Sequence, residues 1–349
     1  MKIITLDNEL HLDGGRNKLP SVRADGFRAK PRYIHLVHSL GYREDAGETA
    51  VIQRALDYVE ARATEVMYPE LRALRFFPTL DAPLGARTFT FAVKDKIGRA
   101  KRTSGAGGDL PRANLTLSEN TSAIAGYGAM YAYTTDELRA FQYANANGRG
   151  PSLSIDTERG DIAMEMIARI IDSTVAFGDA DDTRINGLVN NANVTVSTSA
   201  VTWSTATFDQ LLAELMALAN NPIITSKETF RPDTILLPTA QWMRVSSVYN
   251  SLGTKSVLEV FNDTMRAMGR NVTVESWPVL ATADAGGTGP RAMSYVKDTK
   301  VLGAIVPALF IAQPPQAHGL EWQIPCEGVC GGGAVKAPLG VYYRDGLEG

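Results

Sequence analysis

The stretch that most constrains this chain is IDTERGDIAMEMIARIIDSTVAF, residues 155–177. Ile162, Met166, Ile167, Ile170, Ile171 and Val175 recur at helical spacing and predict a continuous apolar stripe. At 1.5 Å per residue the helix is about 34 Å long. Gly160 weakens its interior by about 1 kcal/mol relative to alanine. Gly178 is well suited to end it as a left-handed cap.

Three aspartates follow within four residues, in GDADDTRINGLVNN (178–191). A calcium loop begun at Asp179 requires glycine at 184 and glutamate at 190, where this chain has Arg184 and Asn190. The aspartates therefore read as solvated residues after a helix, with Asn186-Gly187 as a tight turn.

Elsewhere the pattern alternates. Residues 1–45 lack periodicity and scatter Arg16, Lys18, Arg23, Arg28, Lys30 and Arg32 among Gly and Pro, as an extended arm does. A helix is predicted at 47–67. RTFTFAVK (87–94) alternates as a half-buried strand, and KDKIGRAKRTSGAGGDLPR (94–112) is basic and glycine-rich. So polar a stretch leaves two readings, disorder or a two-stranded ribbon projecting from the body, and either calls for a partner surface. AIAGYGAMYAY (123–133) reads as a strand. Thr134 and Glu137 form a capping box for a helix at 135–145. The second half predicts helices at 208–220, from 239, and at 256–268. It predicts strands at 233–238, 272–276, 294–298 and 301–307, and extended structure over the last forty residues.

Composition narrows the function. With 349 residues, 44% hydrophobic and 21% charged, the chain reads as soluble and globular, large enough for two domains. A formal net charge of −3 gives no bulk attraction to nucleic acid. No signal-peptide pattern opens the sequence, and the longest apolar run, VLGAIVPALFIA (301–312), is too short to span a bilayer. The two cysteines, Cys326 and Cys330, exclude a disulfide framework; even with His318 they fall short of four zinc ligands, so they read as free thiols. His35 and His38 lack recognisable metal partners. SGAGGDL (104–110) breaks the dinucleotide pattern at Leu110, and no Walker or G-x-S-x-G motif occurs. Trp242, Tyr249 and Phe261 read as core. No catalytic residue, cofactor or metal site is expected. An arm and a ribbon that cannot bury themselves fit a protein whose neighbours in an assembly supply the missing surface.

In order along the chain, FFPTLDAPLGARTFTFAVKDKIGRAK, GGDLP (107–111), AYTTDELRAFQYA, VAFGDADDTRINGLVNN, FRPDTILLPTAQW and GGGAVKAPLGVYY resemble the tailed-phage major capsid proteins of the HK97-type fold. The resemblance covers about residues 48–349. It implies an α+β fold with an N-terminal arm (1–47) and an extended β-hairpin loop (78–122). The peripheral domain is then 48–77, 123–205 with a spine helix near 155–177, and 302–349. An α/β axial domain takes 206–301. By this resemblance the chain self-assembles into pentamers and hexamers of an icosahedral capsid enclosing double-stranded DNA without sequence-specific binding. It is expected in the virion, assembled in the host cytoplasm, with a separate scaffolding protein, a portal and a possible decoration protein as partners. No N-terminal scaffold segment is expected. Lys94, Lys96, Arg99, Lys101 and Arg102 are the expected inter-subunit contacts of the extended loop. Two other readings remain: an encapsulin-like compartment shell around a cargo enzyme, and an α/β enzyme with an unrecognised carboxylate site.

Overall fold

A computed structural model describes residues 23–24, 27–28, 68–102, 111–146 and 155–348. The chain divides into two compact units, Met1–Glu65 and Val66–Gly349. In the first, β1 (Arg23–Ala24) pairs antiparallel with β2 (Phe27–Arg28). The expected helix at 47–67 and most of the expected arm lie outside the described residues.

The second unit is organised by the long helix. It opens with α1 (Ala73–Phe76), β3 (Thr79–Leu80), β4 (Thr88–Ile97), β5 (Asn114–Ala123) and β6 (Ala125–Thr134). Next come α2 (Thr135–Ala146) and α3, the long helix, over Ile155–Phe177. The capping box of α2 forms as its sequence dictates: Glu137 N–H donates to Thr134 Oγ1 (3.2 Å) and Thr134 N–H to Glu137 Oε2 (3.0 Å). Ala163, Ile167, Ile171 and Val175 of α3 are buried. They face β6 and the strand β14 (Glu321–Cys330), which pair over ten residues from Glu321↔Thr134 to Cys330↔Ala125. On its other edge β14 pairs with β12 (Ala308–Ala312) and β13 (Gln316–His318). A further sheet joins β3, β11 (Leu302–Ile305) and β15 (Gly333–Val335).

One part of the predicted stripe is corrected. Ile162, Met166 and Ile170 are 57%, 38% and 43% exposed. The β6–β14 sheet covers only one narrow face of the helix, and this row lies on the flank beside it.

The remaining elements are β7 (Thr195–Thr198), α4 (Phe208–Thr225), β8 (Thr234–Leu237), α5 (Thr239–Ser247), α6 (Val257–Ala267), β9 (Thr273–Ser276), β10 (Ala292–Tyr295) and β16 (Val341–Asp345). The strands form one sheet in the order β7-β16-β10-β8-β9. The central strands β16, β10 and β8 are buried on both faces, which is why β8 and β10 read as apolar runs, whereas the edge strands β7 and β9 are partly exposed. Leu236, Met293, Tyr295, Val341 and Tyr343 enter the core shared with α3. Ile235, Leu237, Ala292 and Tyr342 enter a second core with Trp203, Leu211, Leu215 and Phe261. The domain division expected from the resemblance groups β16 with residues 302–349 and β7 with 123–205. The pairing puts both strands in one sheet with β8, β9 and β10.

Helix α4 runs one turn beyond the expected 220, through Pro222. Proline has no N–H to offer the carbonyl of Leu218, and Ser294 Oγ–H donates to that oxygen instead (2.8 Å). The strand expected at 294–298 is Ala292–Tyr295, because Asp233 captures the Lys297 N–H (3.0 Å) and turns the chain away. Phe261 is core and Trp242 packs against it, but Tyr249 is 55% exposed at the foot of a small hairpin.

Candidate assembly surfaces

Strands β4 and β5 form a two-stranded ribbon with ten residues on each side, about 33 Å long at 3.3 Å per residue. Of the two readings of residues 94–112, the ribbon is the one found, with 103–110 outside the described residues. Its base is anchored. Ser122 Oγ donates to the carbonyls of Arg184 (3.2 Å) and Gly331 (3.0 Å), and Ile124 N–H to that of Arg87 (2.9 Å). Phe89 and Phe91 pack beside Leu80, Ile305 and Ala334. Beyond Val93 the ribbon is exposed on both faces. A two-stranded ribbon alone in water is marginal.

The register sorts its side chains. Lys94 lies opposite Leu117 and Lys96 opposite Leu115, so two lysines and two leucines share one face. Leu115 and Leu117 are 49% and 57% exposed. Arg99, Lys101 and Arg102 follow β4 as exposed chain, and Arg112 precedes β5. Against these basic residues the ribbon carries Asp95 and Glu119, so it is strongly positive while the rest of the chain is net acidic. The sequence reading named the five basic residues but not the leucines, whose signal was the alternation in Asn-Leu-Thr-Leu, 114–117.

The acidic loop after α3 is used within the chain. Tyr127 O–H donates to Asp179 Oδ2 (2.7 Å), and Asp179 Oδ1 accepts from Asp181 N–H (2.9 Å). These bonds hold the Asp179 carboxyl below its usual range, and burial first, then Asp179, pushes the Tyr127 phenol well up. Asp182 takes a bidentate Arg184 (2.9 and 2.7 Å), which lowers its pKa to about 2. So Asp179 and Asp182 are partnered, not merely solvated. The turn lies at Asp182–Ile185, and Asn186 bridges to Gly178. Gly187 instead packs on the helix end, where a Cβ would stand 2.3 Å from the Ala176 carbonyl oxygen. Among the described residues no group of three His, Cys, Asp or Glu could hold a metal ion. Cys326 and Cys330 are buried free thiols on β14, and burial pushes Cys330 up to about 11. His318 is exposed on β13. His35, His38 and SGAGGDL lie outside the described residues.

The outer side of α3 is exposed as well. Among the described residues Glu158 and Asp161 there make no ion pair, whereas Glu165 pairs with Arg169 (2.6 Å), whose guanidinium also lies over the Tyr68 ring. Arg159 reaches across to Glu137 (3.1 Å), which ties α2 to α3 and lowers the Glu137 pKa to about 2.

A family profile described as major capsid protein matches residues 98–347. No curated protein matches the chain. Among solved structures, the capsid of Myoviridae phage XM1 superposes with a TM-score of 0.74 at 15% identity, over 86% of this chain and 100% of that one. The capsid of the native GTA particle gives 0.58 at 12% identity, over 86% and 99%. A structure of Mycobacterium phage Adephagia gives 0.56 at 14%, over 84% and 98%. At such identities the likeness is one of fold, and it bears out the α+β, HK97-like fold expected from the sequence.

Proposed function

The chain belongs to the major capsid protein family and is a structural subunit of a phage capsid, and from that premise we propose that its copies assemble as pentamers and hexamers into an icosahedral shell around double-stranded DNA. The observation that carries the proposal is the ribbon, about 33 Å of paired strand whose outer half has no packing partner among the described residues. Another subunit is the kind of surface that would bury it.

In this reading Lys94, Lys96, Arg99, Lys101 and Arg102 are inter-subunit contacts, met by acidic surface on a neighbour. Exposed ion pairs contribute little singly, about 0–1 kcal/mol each, so their effect comes from number and repetition around the shell. The ribbon corresponds to the extended loop, α3 to the spine, and the five-stranded sheet with α4, α5 and α6 to an axial domain that includes β7 and β16. A low net charge suits a container whose inner wall must release its DNA. The protein is a component of the virion. Assembly in the host cytoplasm, a separate scaffolding protein, a portal, a possible decoration protein and the lack of any catalytic activity complete the proposal. The family match favours a genome container over a cargo-enzyme compartment.

The test is to express the chain alone, then with scaffold supplied, and examine it by sedimentation and electron microscopy. Closed shells, or rings of five or six subunits, are expected. A chain that stays monomeric under both conditions refutes the proposal. Reversing all five basic charges should lower shell yield sharply, and normal shells from that variant would remove those residues from the interface.

A further inference from the structure

We propose that the cleft between the end of α6 and β9 is a phosphate-binding site built on Arg266 and Arg270. Helix α6 ends at Ala267, and Gly269, at a left-handed φ of 71°, turns the chain back into β9. Asn262 and Arg266, four apart, share one face of the helix. With Arg270, Asn271, Thr273 and Glu275 they line a cleft of about 290 Å³.

Arg270 is held before any ligand arrives. Its guanidinium donates to Asn220 Oδ1 (2.9 Å) and to the carbonyls of Ala219 (3.0 Å) and Pro232 (3.3 Å). All three acceptors are neutral, so the charge is fixed in place without being cancelled, and among the described residues its Nε–H is unused. Burial first, then the nearby Arg231, lowers the Arg270 pKa, as befits a cation short of counter-charge. An arginine stays charged even so.

The acids around the cleft are committed elsewhere. Glu275 at its rim pairs with Arg75 (2.9 Å), Asp263 with Lys255 (2.5 Å) and Glu228 with Arg231 (3.7 Å). Arg266 is exposed and acts on Asp263 only as the weakest of the influences on that carboxyl. The carbonyl end of α6 offsets about half a unit of charge, against two guanidinium groups. The cleft is therefore positive, and the Asn262 and Asn271 amides add neutral donors. The Thr273 hydroxyl adds none, since it donates to the Asp233 carbonyl (3.2 Å). Guanidinium forks match the oxygens of a phosphate group. That group has two sources, free phosphate and the backbone of DNA, and the test separates them.

The full-length chain, held below the concentration at which shells form, is titrated with inorganic phosphate by calorimetry at constant ionic strength. A short labelled DNA duplex is titrated in parallel by fluorescence anisotropy. Arg266→Gln removes an exposed cation and should weaken binding about tenfold, with the urea midpoint of the parent. Arg270→Lys keeps the charge but loses the fork and should weaken it about threefold. Arg139→Gln, on α2, should bind like the parent. Duplex binding weakened by both cleft variants gives the DNA backbone as the source; phosphate bound without the duplex gives a free phosphate. The inference is overturned if neither probe binds, if binding survives both cleft variants, or if Arg139→Gln weakens it as much as Arg266→Gln. The chain is measured unassembled, so failure here leaves the shell reading standing, and failure to form shells leaves this site standing.

Discussion

Replacing Arg291 with methionine should cost about 3–5 kcal/mol of subunit stability. The magnitude follows from what the guanidinium holds. Its Nε and one terminal nitrogen grip the two Asp345 oxygens at 2.6 and 2.7 Å, and the other nitrogen donates to the Val189 carbonyl at 2.8 Å. It also lies 4.8 Å from the ring centroid of Tyr343, whose hydroxyl donates to the Leu188 carbonyl. One side chain therefore ties the loop after α3, the start of β10 and the end of β16. The pair is almost dry, with side chains 3% and 13% exposed. Methionine fills much of the volume but strands a carboxylate whose only other partner among the described residues is the Ala285 N–H at 3.3 Å. Adding Asp345→Asn removes the stranded charge and should recover about half of the loss. The assay is urea unfolding of the unassembled subunit, followed by tryptophan fluorescence; buried Trp277 and Trp203 report on one core each. With a slope of roughly 3 kcal/mol per molar urea for a body this size, the midpoint should fall by about 1 M or more. A loss under about 1 kcal/mol, or a double variant as costly as the two singles summed, would refute the reasoning.

Gly187→Ala should lower soluble yield and cut stability by at least about 2 kcal/mol, because its Cβ would press on the Ala176 carbonyl; a parent-like urea midpoint would contradict this. Gly160→Ala should raise stability by about 0.5–1 kcal/mol, since the new methyl meets the Tyr131 hydroxyl at an ordinary 3.6 Å. Asp172, buried on α3, accepts the Ala73 N–H at 2.8 Å, and burial raises its pKa. A carboxyl raised on folding adds stability below its unfolded pKa, near 4, and loses that contribution as pH rises through the folded value. Asp172→Asn should therefore be at least as stable as the parent at pH 7, with a flatter profile above about pH 4. Urea midpoints across that range check it, and an unchanged slope would remove Asp172 as the cause.

Much of the fold was legible because local rules and tertiary needs agreed. The α3 boundaries, the Thr134–Glu137 box and the buried run of β8 follow from cap chemistry and periodicity. What the sequence hid was decided by partners far along the chain. Periodicity marked Ile162, Met166 and Ile170 as apolar but could not say that the sheet would cover only the Ala163–Ile167–Ile171 side. Pro222 marked a break that Ser294, 72 residues on, makes tolerable. The basic ribbon residues were visible as a charge run. The Leu115/Leu117 face needed the register to bring it beside Lys94 and Lys96.

Strand β16 lies between β7 and β10, inside its sheet and not at an edge. Its parallel partner β7 ends at Thr198 and β16 begins at Val341, so ribosomes finish the two about 7–30 s apart at 5–20 residues per second. Through that interval the sheet has a gap where Val341, Tyr342 and Tyr343 will later join its two cores. A nascent or truncated chain thus lacks the wall on which Arg291 and Glu214 find their counterions, Asp345 and Arg344. Synthesis of β16 is in this way the step that finishes the body, since its two cores close only when this late strand arrives.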